Sequence, residues 1–247
     1  MQVGHILALF AGGIACGIIN ALAGGGSFLT LPILLWTGLP PQVANASNRV
    51  AIVLQCAAGT ATYHRHRLVP WREVPLMAAT MVAGSVLGAY LAAHLDETVF
   101  RRAAAILFAL MAATVFIDAK RWARAAPAPR VPAYMYPISF VLGIYGGFLH
   151  AGIGTLQIAT LVLLGHYDVV RGNALKFAVA FFFSLAALIL FIGAGQVRWA
   201  PGIALGVGST VGGILGARLV IAKGTTWVRA VVILSAIAAI VKLLGVF

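Results

Sequence analysis

Acidic residues are the scarcest chemistry in this 247-residue chain. Five Asp and Glu stand against 17 Lys and Arg, and charged residues of both signs make up only 9%. Soluble domains carry about 25% charge, so a water-soluble globule is excluded. The five acids, Glu73, Asp96, Glu97, Asp118 and Asp168, all lie away from the middle of the apolar runs. That disfavours carboxylate proton relays, and Na⁺ or metal sites built from carboxylates, within the apolar sequence. Cysteine is equally sparse. Cys16 and Cys56 sit in apolar stretches without a CxxC or Cys/His cluster, so they read as packed thiols and no disulfide or metal site is expected. No GK[ST] follows the glycine-rich segment, which removes a nucleotide P-loop. No Ser/His/Asp grouping or HExxH falls in an apolar run to suggest an intramembrane hydrolase, and no cofactor is implied. The opening Met1-Gln-Val-Gly-His5 has no basic residue, so it is read as the start of a first span rather than as a cleaved signal peptide.

Apolar sequence fills the space left by these absences, at 62% of residues with a mean hydropathy of +1.02. One crossing takes about 20 residues. The composition therefore predicts an all-α polytopic membrane protein with roughly eight to ten crossings. The net charge of +12 would point to nucleic acid in a soluble protein. Here the simpler source is the collection of Lys and Arg in cytoplasmic loops, and the expected partner is the lipid bilayer, with no nucleic acid.

Hydrophobic runs and turn signals predict spans at 6–23, 43–62, 74–94 and 98–118 in the first half, with a short run at 27–37 after Gly24-Gly25-Gly26. A basic, proline-containing linker covers 119–133. The pattern then restarts at 134–150, a short run at 155–165, and spans at 173–193, 200–221 and 227–245. Adding 128 carries Gly24 to Gly152, Gly26 to Gly154, Asn45 to Asn173, Trp71 to Trp199, Gly84 to Gly212, Gly88 to Gly216 and Arg101 to Arg229. Two homologous repeats, 1–125 and 126–247, are expected, and repeats on this scale point to a secondary transporter with its site at the repeat interface. If 27–37 crosses, each half has five spans and the second is inverted; if it is re-entrant, the halves are parallel. Inversion is favoured. It puts both termini in the periplasm and the basic segments 64–72 and 119–132 in the cytoplasm.

The glycine cluster should break a helix and leave Ser27 to cap a short new one at membrane depth, with Gly152-Ile-Gly154-Thr155 repeating the device. Unpaired N–H groups and the dipole at such ends attract anions. The competing reading is glycines that let helices pack closely. Arg49 and Lys176 are the basic residues well inside the apolar core of each half, and a cation there is a functional candidate unless it snorkels to the headgroups. Asn45 and Asn173 precede them by about one turn. Asn20 and His150 stand just before the glycine turns. His150 can titrate near neutral pH or satisfy backbone carbonyls. Gln55, Gln157 and Thr60 read as interhelical hydrogen-bonders, and the Gly84/Gly88 and Gly212/Gly216 pairs as close helix contacts. The candidate substrate site is thus Asn20, Gly24, Gly25, Gly26, Ser27, Asn45, Arg49, His150, Gly152, Gly154, Thr155, Asn173 and Lys176.

Ala23-Gly-Gly-Gly-Ser-Phe-Leu-Thr-Leu-Pro32, Gly38-Leu-Pro-Pro, Ala44-Asn-Ala-Ser and Leu68-Val-Pro-Trp71 together resemble the duplicated signature of the TauE/SafE family of sulfite and organosulfonate exporters. The resemblance covers essentially the whole chain. It implies a bacterial inner-membrane permease for small sulfur oxyanions or related organic anions. The second copy departs from the pattern, with Ile153 for the middle glycine and Ala159 or Thr160 where proline is usual. The expected function is an exporter or facilitator of a small anion. Alternatives are a proton-coupled importer of an organic anion and a non-transporting membrane subunit that binds a partner. A second copy of the chain is a further partner left open.

Overall fold

The computed structural model describes residues 3–114 and 131–223. Among these residues it is built from nine helices and no strands. They are α1 (Val3–Ala23), α2 (Ser27–Trp36), α3 (Pro41–Arg65), α4 (Val74–His94), α5 (Glu97–Thr114), α6 (Met135–Phe148), α7 (Ile153–Leu163), α8 (Val169–Gly193) and α9 (Trp199–Lys223). The run expected at 227–245 and most of the basic linker lie outside the described residues. α1, α4, α8 and α9 are long and apolar enough to cross a bilayer. α3 is as long as α8 but carries Asn45, Asn48, Arg49 and Gln55, all buried against other helices.

Glycine sets the packing directions. Gly13 of α1 lies against Leu205, Gly208 and Ser209 of α9, and Gly17 against Ser209, Gly212 and Gly213, so the two helices run parallel. Gly202 meets Ser47 and Val50 of α3, and Gly213 meets Gln55, so α3 and α9 are parallel as well. Between α1 and α3 the chain must therefore return to its starting side. α2 does this: Gly26 sits beside Cys16 and Asn20, Ile33 against Gly12, and Trp36 edge-on to His5 with ring centroids 4.9 Å apart. In the other half Gly143 lies against Met81, and Gly88 against Ile144 and Phe148, which makes α4 and α6 parallel. α7 returns along α6, its far end tied by the Tyr134 hydroxyl donating to the Leu164 carbonyl at 2.6 Å. α8 runs antiparallel to α3, for Arg49 faces Phe191 whereas Tyr63 faces Phe177. At Gly84, Gly88, Gly212 and Gly216 any side chain would strike a neighbouring helix, so the close contacts expected there are present.

The backbone carries the same 128-residue spacing as the sequence. Positive φ occurs at Gly24 and Gly152, at Gly38 and His166, and at Arg67 and Gly195, and α3 shifted by 128 coincides with α8. Gly17 is level with Gln55 and Gly213, both just past the middle of 25-residue helices. The start of α2, next to Cys16 and Asn20, is thus about halfway along the bundle.

Candidate functional site

Two helix beginnings meet at this depth. Gly24 turns the chain with φ of +78°, and its Cα faces the backbone of Gly154 and Thr155, where a side chain has no room. Gly152 makes the matching turn at φ of +74°. The caps differ from expectation. Gly26 is the N-cap of α2 and already helical, with no side-chain cap bond, and Ser27 is the first helical residue. Gly152 caps α7, whose first residue is Ile153. Gly152 reaches its left-handed dihedrals without a side-chain oxygen to hold them, and Gly26 is already α-helical, so neither hydroxyl residue serves as the N-cap. Thr155 instead donates to the Ala23 carbonyl at 2.7 Å and pins the two turns together. Phe28 N–H returns to the Gly25 carbonyl and Thr155 N–H to that of Gly152. These ends therefore offer fewer outward donors than open helix termini.

Beside the turns is a cavity of about 10 Å³, room for about one water. Its lining includes Asn20, His150, Gly154, Gln157 and Lys176, with Phe177 and Phe183 as apolar wall. Lys176 is 2% exposed; its Nζ donates to the Asn20 carbonyl at 2.8 Å and lies 5.0 Å from the Phe177 ring centre. Gln157, also 2% exposed, has neither amide oxygen nor nitrogen paired. A fully desolvated amide without a partner costs about 1–3 kcal/mol, and a cation more. Both groups face the same small space.

Arg49 is fully buried but stands behind this cavity. Nη1 donates to the Gly146 carbonyl at 2.6 Å and Nη2 to that of Gly147 at 2.8 Å, the last carbonyls of α6, while Nη1 also lies 3.0 Å from His150 Nδ1. Guanidinium can only donate, so His150 Nδ1 accepts and the neutral ring carries its proton on Nε2. The ring stacks on Phe183. Among those residues the salt bridge found is the exposed pair Arg101–Glu97 at 2.6 Å; neither Arg49 nor Lys176 meets a carboxylate.

Of the thirteen residues predicted from sequence, Asn20, His150, Gly154 and Lys176 line the cavity. Gly24, Gly25, Gly26, Gly152, Thr155 and buried Ser27 form the paired turns beside it. Asn45 and Asn173 are not part of the lining. Asn45 Nδ2 donates to the Phe148 carbonyl at 2.9 Å, and Asn173 Nδ2 to the Val169 carbonyl of its own helix at 3.1 Å. Gln55 makes the expected interhelical bond, to the Gly17 carbonyl at 3.5 Å. Gln157 and Thr60 do not. Gln157 is the site residue that the sequence reading missed. Its signal was an amide in an otherwise apolar short helix, one turn beyond Gly154. Cys16 and Cys56 are free and buried.

Helices spanning a bilayer, paired broken turns at mid-depth and an unneutralised cation on an internal cavity define a multi-pass membrane transporter. Residues 9–243 match the family described as sulfite exporter TauE/SafE, and the chain belongs to that family. It is similar to the "Probable membrane transporter protein" of Haemophilus influenzae, with 29% identity over 92% of this chain and 89% of the relative. Likewise similar are ORF9 of Sinorhizobium sp (29%, covering 98% and 93%) and YfcA of Escherichia coli K12 (28%, covering 96% and 88%); both are also named probable membrane transporter proteins. No solved structure matches the chain.

Proposed function

We propose that the protein moves a small oxyanion, sulfite, a sulfonate or a close relative, outward across the bacterial inner membrane. The observation that carries this reading is Lys176, a buried cation on an internal cavity with no carboxylate beside it. Leaving a charge in that state costs several kcal/mol, and an entering anion offsets it. His150 Nε2–H and the Asn20 and Gln157 amides add donors, which suits a ligand that presents several acceptor oxygens and no apolar bulk. A cavity of one water's size corresponds to a closed state. The helices around the paired turns must part to admit an ion, as alternating access requires.

The arrangement is read as two inverted repeats. Supporting it are the matched positive-φ residues and the parallel course of α1, α3 and α9. That course requires α2 to count as a crossing, giving five spans per half once the run at 227–245 is included. The family's name supports a sulfur oxyanion, and potential-driven exit supports the direction. The test is thermal unfolding of purified protein against sulfite, methanesulfonate, thiosulfate, acetate and chloride. Sulfite or a sulfonate should stabilise it most, and no stabilisation by any anion would overturn the reading.

A further inference from the structure

Away from this site, a cleft of about 170 Å³ opens between α3 and α9, lined by Ala58, Ala61, Thr62, Arg65, His66, Ile214 and Arg218. Its order along the bundle is the informative feature. α3 and α9 run parallel with Gln55 level with Gly213, so Ile214 and Ala58 lie near mid-depth and Ala61 and Thr62 further along. Arg218 lies at about the level of Ala61 and Thr62, and Arg65 and His66 come last, at the end of α3. The small side chains of Ala58 and Ala61 leave the groove, and its wall at Ala61, Arg65 and Arg218 is exposed. Neither arginine has a carboxylate partner among the described residues. Two cations from different helices therefore line the outer half of a mostly apolar groove whose wall is exposed.

We infer that this cleft holds an anionic phospholipid, its phosphate between Arg65 and Arg218 and one acyl chain along Ala58, Ala61 and Ile214. A lipid has the same sequence of chemistry in the same direction: phosphate at the interface, then glycerol beside the Thr62 level, then hydrocarbon. A free phosphate would use the arginines and leave the apolar floor unmatched. Basic pockets between transmembrane helices on the cytoplasmic side are a general setting for such headgroups, and Arg65 belongs to the segment 64–72 that the basic-loop argument places there. The site stands whether or not the central cavity carries sulfite.

The experiment is native mass spectrometry of delipidated protein titrated separately with phosphatidylglycerol, phosphatidylcholine and inorganic phosphate. Phosphatidylglycerol should bind in preference, and inorganic phosphate in large excess should not displace it. R65Q/R218Q should bind it about thirtyfold more weakly and each single variant about fivefold, so R65Q or R218Q alone decides the matter if the double variant does not assemble. R198Q, at the other end of α9, should bind as the parent does. Equal binding of phosphatidylcholine, unchanged affinity in the arginine variants or displacement by inorganic phosphate would each overturn the assignment.

Discussion

Arg49 and Lys176 look equivalent in sequence, one buried cation per half, yet the structure gives them different work, and that difference is measurable. Lys176 borders the cavity and has one hydrogen bond, to the Asn20 carbonyl. Replacing it with Met removes a charge-assisted contact to the ion of about 1.5–3 kcal/mol, which is about 10- to 150-fold in Kd. The same change removes an unpaired buried charge, so the variant should be as stable as the parent or more so. Arg49→Met does the reverse. It strips donors from the Gly146 and Gly147 carbonyls and from His150 Nδ1, and each orphaned buried acceptor costs about 1–3 kcal/mol. Stability should therefore fall by roughly 3 kcal/mol or more, with anion affinity changed mainly through the freed His150 ring. Both quantities come from one assay, thermal unfolding in detergent across a sulfite titration. Parent-like affinity in Lys176→Met, or parent-like stability in Arg49→Met, would refute the division of roles.

Gly24→Ala should cost about 1–2 kcal/mol for the left-handed backbone and about 1–3 more for the clash with Gly154, whereas Gly38→Ala, also at positive φ but in open space, should cost the backbone share alone; comparative unfolding separates them. Gln157→Leu should raise thermal stability, because it removes an unpaired amide, and weaken sulfite binding; a loss of stability would mean that the amide is already satisfied. Single cysteines at Arg67 and Gln196, in a chain lacking Cys16 and Cys56, should label from opposite faces of the membrane, Arg67 from the cytoplasm; labelling from the same face would contradict the helix directions.

Much of this was legible in the sequence because the relevant signals are local. Glycine triplets followed by short apolar runs mark α2 and α7, and the predicted span at 74–94 coincides with α4. The 128-residue offset needs only residue identities. Side-chain partners are not local, and there the reading fell short. Arg49 and Lys176 sit at near-equivalent depth in the chain, but only the approach of α6 shows that Arg49 is consumed by the Gly146 and Gly147 carbonyls. Asn45 and Asn173 share a face with the cations, yet each finds a backbone carbonyl first. Ser27 has the right chemistry for a cap, but Gly26 takes the N-cap position and leaves Ser27 as the first helical residue. Gln157 was passed over because an amide in a transmembrane helix ordinarily finds a partner; its lack of one is visible only in three dimensions.

Electrogenic anion movement without a coupled proton is the claim on which the functional account turns, and proteoliposomes test it directly. A potential negative inside favours exit of a monovalent anion by about 2.3 kcal/mol per 100 mV, close to fiftyfold in the equilibrium ratio. Vesicles loaded with sulfite or a sulfonate, at equal pH on both sides and with the potential clamped by potassium and valinomycin, should release the anion faster when the interior is negative. They should do so in His150→Ala as well, since that ring is held as a neutral donor rather than a proton carrier. Release indifferent to the sign of the potential, or release that needs a pH gradient and disappears in His150→Ala, would contradict the account.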